Sequence, residues 1–192
     1  MTVASLEFST TTTPAAATSL TLTPTADAYV QSDRATTNFG TATQLSADAS
    51  PITRILLKFT VSGVNGRPVL NAKLRLRCVN GSNIGGALHR VTDSSWAENT
   101  LPWSNQPPAD TATIAALGPV SANTTYEINL GALITGDGTY TIAIDSTSND
   151  GAYYSSKEGT NAPELLLTLA PDALFADGFE SGGTATWSGK HP

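Results

Sequence analysis

The chain has 192 residues, 40% of them hydrophobic and only 14% charged, with a formal net charge of −6. That length supports one domain whose core needs no covalent staple, and the single cysteine, Cys78, excludes an intrachain disulfide. Acidic residues outnumber basic ones 16 to 10, so the basic field that nucleic acid or an anionic membrane attracts is missing, and no apolar run is long enough to span a bilayer.

Residues 1–18 read as an extension. Val3, Leu6 and Phe8 form a strand-like run ahead of a low-complexity Thr/Ala linker around Pro14. The first twenty residues lack the basic start and apolar core of a signal peptide, so for a secreted protein the export signal is expected to be already removed from this numbering. From residue 19 the dominant period is two. Short strands are predicted at Ser19 to Thr23, Ala28 to Val30 and Gln44 to Ala47. In the run from Thr53 to Val61, Ile55, Leu57, Phe59 and Val61 share one face, with Arg54, Leu56, Lys58 and Thr60 on the other. The run from Asn71 to Val79 repeats the pattern, Ala72, Leu74, Leu76 and Cys78 against Lys73, Arg75, Arg77 and Val79. Turn-forming residues between the two runs predict that they pair as a long-looped hairpin.

Ala87 to Thr92 is the next expected strand. The segment from Ser94 to Asp110 then breaks the period: with Trp96, Trp103, Pro102, Pro107 and Pro108 it reads as a long loop held by its own aromatic side chains. Strands follow at Thr125 to Leu130, Thr139 to Ser146, Tyr153 to Ser155 and Glu164 to Leu169. No window carries a helical stripe. Many short strands separated by Gly, Pro, Asn and Asp point to an all-β fold, an antiparallel β-sandwich of the jelly-roll kind over residues 19–171. Residues 172–192 form a tail in which Phe175, Phe179 and Trp187 suggest one further strand.

The order of Ala26–Val30, Asn38–Gly40, Arg54–Phe59, Asn71–Val79, Ser94–Pro107 and Tyr153–Leu169 resembles the DNRLRE-type carbohydrate-binding modules. The most specific matches are the Trp96, Glu98, Trp103 and Pro107 spacing and the run closing at Pro163. The resemblance spans about Thr23 to Ala170; a Thr-Leu-Pro-Trp run stands where those modules more often carry Val-Thr-Trp. It implies a non-catalytic jelly-roll module, extracellular or at the cell surface, of a kind that includes binders of alginate-like acidic glycans.

Arg54, Lys58, Lys73, Arg75 and Arg77 are five of the ten basic residues, and alternation places all of them on outward faces. Such a stripe would suit an acidic polysaccharide, because Arg grips carboxylates bidentately and Lys adds point charge. A solvated face that guards the sheet against edge pairing has the same pattern. Tyr153 is a candidate sugar platform, and Tyr154 must point to the opposite face. Trp96 and Trp103 read as loop anchors.

Calcium is the expected ion, held by Asp27, Asn38 and Glu158 where the first and last strands of a jelly-roll module meet. Oxygen ligands from loops suit it, and the lone Cys78 with the isolated His89 and His191 excludes a conventional zinc set. Glycosidase chemistry would need two carboxylates across a cleft, and the sequence does not place Glu98, Asp145, Asp150 or Glu158 relative to one another. No nucleophile motif accompanies His89.

Two functions therefore stand: a secreted, non-catalytic binding module for an acidic polysaccharide, and a structural subunit of an extracellular filament. The second would assemble head to tail by strand exchange through Val3–Thr13 and Leu174–Trp187.

Overall fold

A computed structural model describes residues 16–172. The expected exchanged strands at Val3–Thr13 and Leu174–Trp187, and the self-association built on them, lie outside the described residues. Among the described residues there are eleven strands: β1 (Thr18–Leu22), β2 (Ala26–Gln31), β3 (Gln44–Ala49), β4 (Ile52–Val61), β5 (Val69–Asn80), β6 (Gly86–Val91), β7 (Thr113–Leu117), β8 (Thr124–Asn129), β9 (Gly138–Asp145), β10 (Ala152–Ser155) and β11 (Glu164–Leu169). Every pairing among them is antiparallel.

The strands make two layers of a jelly-roll β-sandwich. In the first, β5 is central, with β8 on one side and β11 then β10 on the other, and β1 beyond β11. In the second, β4 lies between β2 and β9, followed by β6 and β7. Strand β3 belongs to both: Gln44–Ala47 pairs with β10, and Asp48 and Ala49 pair with β4.

The period-two pattern sets the core. Ile55, Leu57 and Phe59 from β4 meet Leu74, Leu76 and Cys78 from β5, all at most 1% exposed. Burial of this kind contributes about 25 cal/mol per Å² of apolar surface. Tyr154 is also fully buried and donates its hydroxyl proton to the Gly85 carbonyl at 2.6 Å, so its polar end is satisfied inside the core.

Strands β4 and β5 do not form the predicted hairpin. They sit in opposite layers, and their apolar faces meet across the core instead of along a shared edge. A long connection between two half-buried strands fits a crossing between sheets as well as it fits a hairpin, and alternation alone does not separate the two. Strand β7 was not expected: Thr113–Leu117 is short, small and only half-buried at the sheet edge, so its alternation is weak.

The Ser94–Asp110 loop covers the outer face of the second layer. Trp96 and Leu101 bury themselves against Ala26, Ala28, Val30 and Leu56, forming a second, smaller core outside the sandwich. This cover explains why Leu56 is buried although its alternation points it outward.

Candidate functional site

Two features stand out. The first is a groove on the outer face of the first layer. Its floor is the outward row of β5, which runs from Asn71 through Lys73, Arg75 and Arg77 to Val79, about 26 Å at strand rise. Three contiguous depressions follow this row. One, of about 320 Å³, is bounded by Ser19, Thr21 and Thr168; the next, of about 810 Å³, by Thr125, Glu127 and Glu164; the last, of about 330 Å³, by Gln44 and Asn123. Adjacent depressions share Arg75 and Glu127, or Arg77, Thr160 and Asn161, so they form one trough. The loop Thr160–Ala162 is its wall.

Antiparallel register fixes the charges in this trough. Arg75 is opposite Glu127 on β8 and Glu164 on β11, and it bonds both, at 2.7 Å and 2.6 Å. Lys73 also reaches Glu127, at 3.0 Å. Hydrogen bonds from Arg75 and then Lys73 hold the Glu127 carboxyl below the usual range, and the reciprocal bonds raise Arg75. Arg77 is opposite Thr125, whose Oγ1 lies 3.4 Å from Nη1, and it makes no ion pair among the described residues. Among the described residues, no Trp, Tyr or Phe lines the trough.

The second feature is a carboxylate cluster at the β2 edge. Asp27, Glu98 and Glu158 each offer an oxygen, and the three oxygens lie within 4.8 Å of one another. Strand β2 brings Asp27, the covering loop brings Glu98, and the turn after β10 brings Glu158. Glu98 Oε1 accepts the edge amide of Asp27 at 2.8 Å, closing a backbone donor that an edge strand leaves free. Asp27 Oδ2 accepts the Lys157 amide at 2.8 Å, whereas Oδ1 is buried without a partner. Burial first, then the charges of Glu158 and Glu98, push the Asp27 carboxyl up to about 7 against the lowering effect of the Lys157 amide. The Lys157 ammonium lies between the other two carboxylates, 3.0 Å from Glu98 Oε2 and in contact with Glu158 Oε1. A buried orphaned oxygen among three acids is the chemistry of a site that could hold a metal ion.

The model of carbohydrate-binding module family 96 matches residues 18–169. The chain belongs to that family. A gellan lyase from a Bacillus species is 29% identical over 170 residues, an alignment covering 81% of this chain and 7% of that protein. The chain thus spans a small part of the length of the curated relative it matches.

Within this family-96 module the expected site residues separate into three places. Lys73, Arg75 and Arg77 share the trough. Arg54 and Lys58 are on the other layer, beneath the covering loop: Arg54 reaches Gln106 Oε1 at 3.0 Å and Asp145 at 3.5 Å, and Lys58 donates to the Trp96 carbonyl with its ammonium 4.5 Å from the ring centre. Burial lowers the Lys58 ammonium below its ordinary value. The single basic stripe is therefore two groups on opposite faces, because β4 and β5 do not pair. Tyr153 is half-buried between Ser46 and Asn80, outside the trough lining.

Of the expected ion ligands, Asp27 and Glu158 meet, while Asn38 is engaged in holding the covering loop. Its amide is spent on the Glu98 and Leu101 carbonyls, at 2.6 Å and 3.3 Å, and its oxygen accepts from Gly40. Asn38 positions the loop that delivers Glu98, the third acid. Glu98 sits in the Trp96 motif, but no local spacing links it to Asp27, 71 positions away. The groove residues Glu127, Glu164 and Asn161 also went unseen, since their role depends on register and on loop placement.

Proposed function

We propose that this module binds an acidic polysaccharide outside the cell, without catalysing a reaction on it, along the trough over β5. The observation that carries the reading is Arg77, a guanidinium without an ion pair among the described residues, where two depressions of a continuous channel join beside Thr125, Thr160 and Asn161. A uronate carboxylate would be held there bidentately. Its neighbours could change partners at small cost, because Lys73–Glu127 is a solvent-exposed ion pair screened by water and salt. The described lining of the trough supplies charge and hydroxyl and amide hydrogen bonds for recognition. The likeness to a gellan lyase supports a polysaccharide ligand.

The same reading places a structural calcium ion among Asp27, Glu98 and Glu158. Calcium–oxygen bonds of about 2.3–2.6 Å suit oxygens no more than 4.8 Å apart. The ion would complete the coordination of the orphaned Asp27 Oδ1 and tie β2, the covering loop and the β10 turn together.

Electrophoresis through gels containing alginate, gellan or a neutral glucan tests the function. Retardation by an acidic polymer, weakening as salt is raised and absent on the neutral glucan, is the expected result. Equal mobility in all gels would contradict it.

A further inference from the structure

We propose that Lys157 is a built-in occupant of the cation site: a divalent cation takes the three carboxylates in place of the Lys157 ammonium, and the exchange resets the wall of the trough. The wall half of this inference rests on the trough being the glycan site; the exchange half does not.

The two occupants need the same atoms. The ammonium is held by Glu98 and Glu158, two of the three acids, and it leaves the third, Asp27, with an orphaned buried oxygen. One ammonium against three carboxylates also leaves excess negative charge, which a divalent ion would offset more fully. Lys157 is only half-buried, so its flexible stem can carry the displaced charge into water. Its compact, strongly hydrated head makes this a smaller change than withdrawing a guanidinium would be.

The turn that carries Lys157 is the one that walls the trough. Lys157 donates its amide to Asp27, and Glu158 and Gly159 donate theirs to the Ser156 hydroxyl and carbonyl at 3.1 Å and 3.0 Å. Asn161 donates its amide to Ser155 Oγ at 3.3 Å. Gly159 is packed so closely that a Cβ there would meet the Thr43 carbonyl oxygen at 2.7 Å. One residue further on, Thr160, Asn161 and Ala162 line the trough. A shift of Glu158 toward an ion would thus be passed to the wall through a short turn in which Glu158, Gly159 and Asn161 are each bonded back to Ser155 or Ser156.

The test uses the full chain and calcium alone. Calorimetric titration should show calcium binding that Glu158→Gln weakens and that Lys157→Met tightens, by about tenfold for removal of one competing charge. Lys157→Gln is the second variant and should act in the same direction. Unchanged or weaker binding in both Lys157 variants, or no binding in any form, would overturn the exchange. Hydrogen exchange at residues 159–162 should slow in wild type when calcium is added, and unchanged protection would overturn the link to the wall. Both readouts are taken without glycan, so a module that fails to bind polysaccharide leaves them decisive. A module retained on alginate identically in calcium and in chelator would keep the glycan reading and sink the coupling.

Discussion

Asn38 Nδ2 donates to the main-chain oxygen of Glu98 at 2.6 Å, and so a loop 60 residues downstream is fastened to the turn after β2. Replacing Asn38 with Ala leaves the Glu98 and Leu101 carbonyls short of a donor, a cost of about 1–3 kcal/mol. For a domain of this size, thermal denaturation should show a midpoint lower by about 2–4 °C per kcal/mol. Gly40→Ala should act in the same direction and more strongly, since its Cβ would overlap the Glu98 carbonyl. A midpoint unchanged in both variants would show that the loop is not held there.

The division of the basic residues between two faces separates binding from stability. Arg77→Ala should abolish most retention on an acidic polymer with little change in melting, because among the described residues the Arg77 guanidinium makes one long hydrogen bond, to Thr125, and no ion pair. Lys58→Ala removes a donor to Trp96 and a charge over its ring, and Arg54→Ala breaks the contacts to Gln106 and Asp145. These two variants should melt earlier and be retained like wild type. Gel retardation beside thermal melts on the three variants distinguishes the patterns.

Glu127 holds Lys73 and Arg75 against the sheet. Glu127→Gln keeps the shape of the side chain while freeing Lys73 and leaving Arg75 paired only with Glu164, so retention on a polyuronate should increase, with a steeper salt dependence. A fall in retention would mean that Glu127 itself contacts the sugar.

Asp27 is a buried acid with one orphaned oxygen beside two further acids. In chelator, Asp27→Asn should stabilise the protein, because the amide can keep accepting from Lys157 while its NH2 group finds an acceptor among the neighbouring carboxylates. In calcium the order should reverse, since wild type gains from ligand binding and the variant gains less. Paired melts in chelator and in millimolar calcium read both signs.

Alternation made the core legible from sequence: Ile55, Leu57 and Phe59, and Leu74, Leu76 and Cys78, are buried on the faces it assigned them. It could not say which strands pair, and the hairpin expected between β4 and β5 failed for that reason. The basic stripe inherited the error, since five residues with one periodicity became two groups once the layers separated. Leu56 looked outward and is buried because a distant loop covers it, a tertiary effect without local pattern. Asp27 and Glu158 were within reach of the motif order. Glu98 was not, because what makes it a ligand candidate is the path of the covering loop, fastened by Asn38.

The central claim, that the β5 face is the glycan surface, is tested most directly by following backbone amide NMR signals while an oligouronate is titrated in. Shifts should concentrate at residues 73–79, at Thr125 and at residues 160–162. Shifts confined to the covering loop at 94–110, or to the stacked rings of Tyr29 and Phe39, whose centroids lie 4.4 Å apart, would contradict it.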